Sequence, residues 1–392
     1  MSNKGSKITH NFLPQQYQKT GQYTINHNYL REQFADCDVI LSEIKELVLR
    51  GDYTLGESVD KFEQNISQLT GSRFVIGVGS GTDALFLSLK AAGIDAGDEV
   101  ITTPYTFFAT VGAIVTAGAK PVFVDIRDDY NIDASRIERA ITPKTKAIIP
   151  VHWSGLSCEM DMITQVAQAH KLVVIEDACH GIRASYKNKP VGTFGLTGCF
   201  SMHPLKNLNV WGDGGYVVTD SQDIHDKLVL LRNHGLVGRD ECAVFGYNSR
   251  LDSIQAIVAN HLLKKIDSIT EARISHAAHY DRLLSKIPQV TVPKRPKHVT
   301  QVYHLYIVRA ERRNELKEFL VGNGIDAKVH YPVPLHLQPA ANSYGYRRGD
   351  FPTCEAICDS VISFPVHEFV TNAQIEYVVD RIKEFYAESK GR

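Results

Sequence analysis

The chain has 392 residues, enough for a large core and two domains. Its 43 lysines and arginines against 44 acidic residues leave a net charge of -1, which offers no field for nucleic acid or an anionic membrane. No apolar run reaches the ~18 residues that a membrane span needs, the first residues lack the apolar stretch of a secretory signal, and the seven scattered cysteines form no C-x-x-C pair. A cytoplasmic protein with reduced thiols is expected. No metal-ligating cluster is read from the sequence.

Residues 1–22 are polar and without period, and read as a loosely held arm. Helical patterns follow over 29–49, stopped by Gly51-Asp52, and over 57–69, before Gly71. Short apolar runs then recur at 74–78, 100–103, 121–124, 147–151, 172–175, 198–201 and 216–219. Segments of helical composition at 82–92, 106–117, 134–141 and 161–170 separate the first five, which predicts a largely parallel sheet covered on both faces. Only the 202–215 loop separates the last two runs, too short for a helical crossover, so the seventh strand is predicted to be antiparallel. The fold class is therefore α/β, a mixed seven-stranded sheet sandwiched by helices. A helix to about 232, a glycine-containing loop and a long helical stretch over 253–287 come next, then a turn-rich boundary at 290–297. A smaller C-terminal α+β unit is predicted from strand 302–308, helix 312–321, strand 327–330 and helices at 353–360 and 372–387. The expected organisation is an arm over 1–22, a large α/β domain over 23–252, and a linking helix with a small domain over 253–392.

Chemistry concentrates between residues 172 and 219. Glu176 and Asp177 end one apolar run, and Ser201 and Lys206 lie in the loop that closes with Gly212-Asp213-Gly214-Gly215. Each has an ordinary reading: a lone lysine in a polar loop is usually solvated, and an aspartate after a strand is commonly a helix cap. The ordered set points instead to pyridoxal 5'-phosphate. That cofactor needs a lysine amine held near neutral and an acid that keeps its pyridine nitrogen protonated. Upstream, Ser80, Gly81 and Thr82 leave a strand and open a helix, a cradle of backbone N–H groups for an anion. Gly77 and Gly79 also fit the start of a dinucleotide fingerprint, but Thr82 stands where close packing wants Gly or Ala. A monophosphate, capped also by Ser201, fits better. Phe107 follows the second strand and is placed to stack on a pyridine ring, whereas Phe108 and Tyr105 read as core aromatics. His180, three residues after Asp177, could flank the cofactor.

The motifs GDYTLGESVDKFE, GSGTDAL, GDEVITTPYTFFAT, IEDACHG, FSMHPLKNL, GDGGYVVT, GYNSRLDSIQA and HYPVPLHLQP together resemble the DegT/DnrJ/EryC1/StrS aminotransferases. These are the sugar-modifying branch of the fold-type I pyridoxal-phosphate enzymes, and the likeness covers nearly the whole chain. The resemblance implies that Lys206 holds the cofactor covalently, Asp177 pairs with its pyridine nitrogen, Phe107 stacks on the ring and His180 lies beside it. Ser201 with Ser80, Gly81 and Thr82 would take the phosphate. Asn248 would reach the phosphate of a neighbouring subunit, which implies a homodimer with shared active sites. Trp153, Arg250, His330 and Tyr331 are expected at the sugar, with Arg183 and Lys187 as candidate partners for an anionic substrate. Two departures fall there: V-H-W-S-G where relatives often have V-H-x-Y-G, and GYN-S-R for GYN-Y-R.

The implied activity is transfer of an amino group from glutamate to a keto- or aldehydo-sugar, most often nucleotide-linked, in surface-polysaccharide or deoxysugar biosynthesis. The C8 aldehyde of 3-deoxy-manno-octulosonate, aminated for lipopolysaccharide, is an alternative substrate. Alternative classes are a pyridoxal-phosphate sugar dehydratase, a dinucleotide oxidoreductase and a non-catalytic sensor. Some relatives that dehydrate carry His in place of the lysine, so Lys206 favours transamination.

Overall fold

The computed structural model describes residues 23–388, so the expected arm at 1–22 lies outside the described residues. Helices α1 (Leu30–Gln33), α2 (Cys37–Arg50) and α3 (Glu57–Thr70) lead into the sheet. Gly51 and Gly71 stop α2 and α3 in the left-handed conformation that glycine adopts without strain. The sheet alternates β1 (Phe74–Val78), α4 (Gly81–Ala91), β2 (Glu99–Thr102), α5 (Phe108–Thr116), β3 (Lys120–Phe123), β4 (Thr145–Ile148), α6 (Met160–His170) and β5 (Val173–Asp177). Two short strands, β6 (Ser185–Tyr186) and β7 (Lys189–Pro190), precede β8 (Thr197–Ser201) and β9 (Gly215–Thr219).

The seven-stranded order is β1-β9-β8-β5-β4-β2-β3. Strand β9 is antiparallel to both neighbours and the other pairs are parallel, as the short 202–214 connection requires. The α/β class and mixed seven-stranded sheet are thus as the sequence predicts. Because β9 runs backwards between β1 and β8, those two strands point the same way as β5 and β2. Their carboxyl ends, after Val78, Ser201, Asp177 and Thr102, therefore share one edge of the sheet. The strands are nearly continuous apolar runs because helices cover both faces.

After α7 (Gln222–Leu231) come α8 (Ser253–Leu263) and α9 (Ile266–Leu284). The single long helix expected over 253–287 is broken at Lys264-Lys265, where Lys265 leaves helical angles (φ -110°, ψ 0°). The C-terminal unit has β10 (Val290–Thr291), β11 (Val299–Thr300), β12 (Tyr306–Ala310), α10 (Arg313–Gly322), α11 (Pro352–Ser360), β13 (Val361–Phe364) and α12 (Asn372–Glu388). Strands β10, β12 and β13 form one sheet, and α12 packs on α9 and α10. Strand β11 instead pairs with β6, completing a small sheet that the sequence pattern did not predict. Three further expectations are corrected. Residues 134–141 form two 3-10 turns, Ala134–Arg136 and Glu138–Ala140, and the backbone is already extended at Ile141 (φ -75°, ψ 130°), so no α-helix is completed there. Residues 327–330 make one isolated bridge, Lys328 to Ser363, rather than a strand. The strand expected at 302 starts at Tyr306, after Tyr303 turns through φ +48°.

Candidate active site

The shared carboxyl edge opens into a cavity of about 690 Å³. Its lining brings together Ser80, Gly81, Thr82, Phe107, Asp177, His180, Ser201, Lys206, His330 and Tyr331, residues spread over much of the chain. Asp177 ends β5 and is nearly fully buried. Its Oδ2 accepts from the Thr110 hydroxyl at 2.8 Å and its Oδ1 from the Cys179 N–H at 3.2 Å. Because the Thr110 proton is committed to Asp177, the 2.8 Å contact between Thr106 and Thr110 has Thr106 as donor. Neither threonine was singled out from the sequence. The signal was present, since Thr110 follows Phe107 by one helical turn.

The preceding residue has a different task. Glu176 is fully buried and accepts from the N–H groups of Gly192, Phe194 and Gly195 at 2.6–2.7 Å and from His152 Nε2 at 2.9 Å. His152 Nδ1 accepts from Cys158 N–H, so its ring proton is on Nε2 and the imidazole is neutral. Glu176 thereby pins the end of β5 and leaves Asp177 to face the cavity.

Lys206 is enclosed, and burial lowers its amine from the usual 10.5 to about 8, against the pull of the Cys179 sulfur and the Asp177 carboxylate. Burial pushes the Cys179 thiol well up, so it stays protonated and Asp177 is the charge that Lys206 meets. His180, His304 and His330 are held neutral by burial, reinforced by the charge of Lys206. His180 Nδ1 accepts from the Ser154 N–H at 3.3 Å, which leaves its proton on Nε2.

At the other end, Gly215 pairs with Val78 on one side and Ser201 on the other. A side chain at Gly215 would come within 2.4 Å of the Ser80 carbonyl carbon, and one at Gly81 within 2.6 Å of Ser201 Cβ. Glycine at both positions lets the start of α4 close on Ser201. Ser80 caps that helix through its Oγ, which accepts from the Asp83 N–H at 3.1 Å, and Ser80, Gly81 and Thr82 at the helix start line the cavity.

Phe107 is half-exposed at the mouth, 6.1 Å from the Tyr331 ring. Phe108 is also exposed, not a core aromatic, because α5 turns that face outward; Tyr105 is buried. The expectation for Trp153 is corrected. Its indole is 1% exposed and packs against Tyr105, His180 and Tyr331 at 5.0–5.5 Å, behind the cavity wall rather than in it. It backs the two rings that a ligand would meet. Arg183 pairs with Asp267 and Lys187 with Asp161, so their charges are answered within the chain. Arg250 donates to Asn233 Oδ1 at 2.8 Å, and neither it nor the exposed Asn248 lines this chain's cavity. His27, Tyr29, Arg273 and His304 do line it, and no sequence pattern marked them. Among the described residues no group of three His, Cys, Asp or Glu could hold a metal ion, and no helix is long and apolar enough to cross a membrane.

The sequence matches the model of the DegT/DnrJ/EryC1/StrS aminotransferase family over residues 36–383. The chain belongs to this family. It is 43% identical over 361 residues to a pleiotropic regulatory protein of Geobacillus stearothermophilus, covering 91% of this chain and 97% of the relative. To the dTDP-3-amino-3,4,6-trideoxy-alpha-D-glucose transaminase of Streptomyces venezuelae it is 36% identical, over 90% of this chain and 92% of that one. Among solved structures, S. venezuelae DesV in complex with a ketimine intermediate superposes with a TM-score of 0.89 at 35% identity, covering 93% and 99% of the two chains. NtdA from Bacillus subtilis, with bound pyridoxamine phosphate, gives 0.82 at 29% identity, covering 88% and 82%.

The DegT/DnrJ/EryC1/StrS site of this chain fits a flat pyridine ring carrying a phosphate arm. The glycine-lined turn at Ser80-Gly81 with Ser201 offers backbone N–H groups and hydroxyls suited to an anion, the buried Asp177 is a carboxyl group, and Lys206 lines the same cavity as His180, His304 and His330.

Proposed function

We propose that this chain is a pyridoxal-phosphate aminotransferase that moves an amino group from glutamate to the carbonyl of a nucleotide-linked ketosugar. The observation that carries the reading is Lys206, a part-buried residue whose amine desolvation lowers to about 8, lining one cavity with Asp177 and the residues of the phosphate cradle. The nucleotide-linked ketosugar rests on the similarity to the dTDP-sugar transaminase. When bound, the cofactor supplies an electron sink for the pair left as a proton leaves the amino-bearing carbon. Asp177 holds a proton on the pyridine nitrogen, its carboxylate fixed by Thr110 and the Cys179 N–H. Lys206 takes the proton from the donor carbon and returns it, first as base and then as acid. Ser80, Gly81, Thr82 and Ser201 bind the phosphate, Phe107 covers the ring, and the Nε2–H of His180 is a donor beside it. Over both halves the donor's H–C–NH2 carbon becomes the C=O of a 2-oxo acid, and the sugar's C=O becomes H–C–NH2. A panel of nucleotide-linked ketosugars with glutamate tests the reading, using the visible absorbance of the bound cofactor. Bleaching by glutamate and recovery with one such sugar supports it; no bleaching by glutamate would sink it.

Cofactor loading should depend on pH. A Schiff base needs the neutral amine, and with the amine at about 8 roughly one Lys206 in ten is neutral at pH 7. At 10.5 the fraction would be only about one in three thousand. The rate at which the apo-protein takes up pyridoxal phosphate is therefore expected to rise about tenfold per pH unit below neutrality and level off near pH 8. Stopped-flow absorbance measures this. A rate that keeps climbing past pH 10 would mean that Lys206 is not desolvated.

A homodimer with shared active sites belongs to the same proposal. Leu236, Val237, Val244 and Phe245 are exposed apolar residues beside Asn248, and Phe245 is 98% exposed. A second copy covering this loop would bring Asn248 to its phosphate cradle. Phe245→Asp is expected to give monomers by light scattering and to weaken cofactor retention; a fully active monomer would count decisively against sharing. The seven free cysteines support a cytoplasmic site of action.

A further inference from the structure

Lys206 sits in a loop whose main chain is gripped by side chains outside the sheet. We propose that Tyr29 and Arg273 are positioning residues that fix the Lys206 amine by holding the loop's carbonyls, in a hydrogen-bonded ring closed by Glu368. The inference rests on the reading of Lys206 as the residue that holds pyridoxal phosphate.

The loop needs such a grip. Leu205, immediately before Lys206, has φ +76°, a left-handed conformation that L-residues with a side chain avoid. It persists where the surroundings over-determine it, and here they do. The Tyr29 hydroxyl lies 3.3 Å from the carbonyl oxygens of both Leu205 and Lys206. Arg273 Nη2 is 2.6 Å from the same hydroxyl. A guanidinium has no acceptor, so Tyr29 Oη accepts from Arg273 and its single proton must turn to the two carbonyls. The contact thus has a direction, running from Arg273 through Tyr29 to the loop.

A second branch reaches the same carbonyl. Asn209 Nδ2 donates to the Lys206 oxygen at 2.9 Å and to Gln33 Oε1 at 2.7 Å. Gln33 Nε2 donates to Glu368 Oε1 at 2.9 Å, and Arg273 Nη2 stands 3.5 Å from Glu368 Oε2. The branches meet at Glu368, between β13 and α12. Segments near residues 29, 206, 273 and 368 are tied in one ring, with its strained member next to Lys206. Tyr29 is further held by its ring, stacked on His367 at 4.6 Å. Arg273 is 2% exposed and also donates to the Tyr303 carbonyl at 3.2 Å, so its guanidinium is locked.

Tyr29→Phe tests this with least damage, because it removes one oxygen and keeps the stack on His367. A displacement of a fraction of an ångström at Lys206 is expected to lower kcat on the order of tenfold. The glutamate and sugar KM values should stay within about twofold, since uniform binding is untouched. Pyridoxal phosphate should dissociate faster on dialysis, and the melting temperature of the apo-protein should change little. Glu368→Ala should reproduce the loss and Glu368→Gln, which keeps an acceptor, should restore part of it. Wild-type kcat and cofactor retention in both Tyr29→Phe and Glu368→Ala would overturn the proposal. So would a raised glutamate KM at constant kcat in Arg273→Lys, which would place that cation on the donor itself. Borohydride fixation followed by peptide mass in the wild type separates the two levels. Cofactor found off Lys206 would undo the functional reading, whereas cofactor on Lys206 with indifferent variants would undo the ring alone.

Discussion

Replacing Lys206 with alanine is expected to lower turnover by roughly ten-thousand-fold while the protein still folds and still binds pyridoxamine phosphate. The amine is the base facing Asp177, and His180, His304 and His330 are held low by burial first and by the Lys206 charge second, so they stay poor proton acceptors when the amine is gone. The loop survives because its grip is on main-chain oxygens, which the substitution leaves in place. Burial of the amine opposes its charge, so its loss removes a desolvation cost as well as some packing. The checks are kcat, the mass of the borohydride-treated protein and the melting curve. Steady-state rates near wild type would end the assignment of Lys206.

Asp177→Asn is expected to slow both half-reactions by about a hundred- to a thousand-fold, the cost of removing one preorganised charge from a dry site. Asparagine keeps the shape and can still accept from the Cys179 N–H through its oxygen. What it loses is the negative charge proposed above to hold a proton on the pyridine ring. The fold should persist because Glu176, not Asp177, anchors the strand end through three backbone N–H groups. Single-turnover absorbance with glutamate reads the slowed proton transfer, and circular dichroism reads the fold. If the variant unfolds instead, Asp177 is a structural residue.

The parts of this architecture that follow from local pattern were legible in the sequence. The seven apolar runs gave the strands, and the shortness of 202–214 gave the reversal of β9. Asp177 and the Ser80-Gly81-Thr82 turn could be brought to one cavity from the sequence because each sits at a strand end, where side chains of an α/β sheet meet a common edge, and Lys206 because it lies in the loop that leaves β8 at that edge. Trp153 was misjudged because an aromatic after a strand reads the same whether its ring faces the ligand or backs the residues that do. Only the packing of Tyr105, His180 and Tyr331 around it decides. Tyr29, Arg273 and Glu368 were invisible for another reason. Their partners in the ring lie from 95 to 335 positions away, and no periodicity encodes a contact between unrelated elements. The break at Lys264-Lys265 left no glycine or proline to announce it.

The reversed strand also restricts how the chain can change in length. Gly215 meets Val78 across one edge of β9 and Ser201 across the other, so one residue carries the registration of three strands. Adding or deleting a single position in 202–214 would slide β9 by one step and exchange its two faces. After a deletion Tyr216 would take the place of Gly215 and stand against Ser80, where there is no room for a side chain. Surface loops elsewhere can lengthen at small entropic cost, but this connection behaves as a fixed gauge. Deletion of Gly212 should therefore abolish phosphate capture in a protein whose remaining strands still assemble, and shortening among functional descendants of this sequence should fall outside this connection.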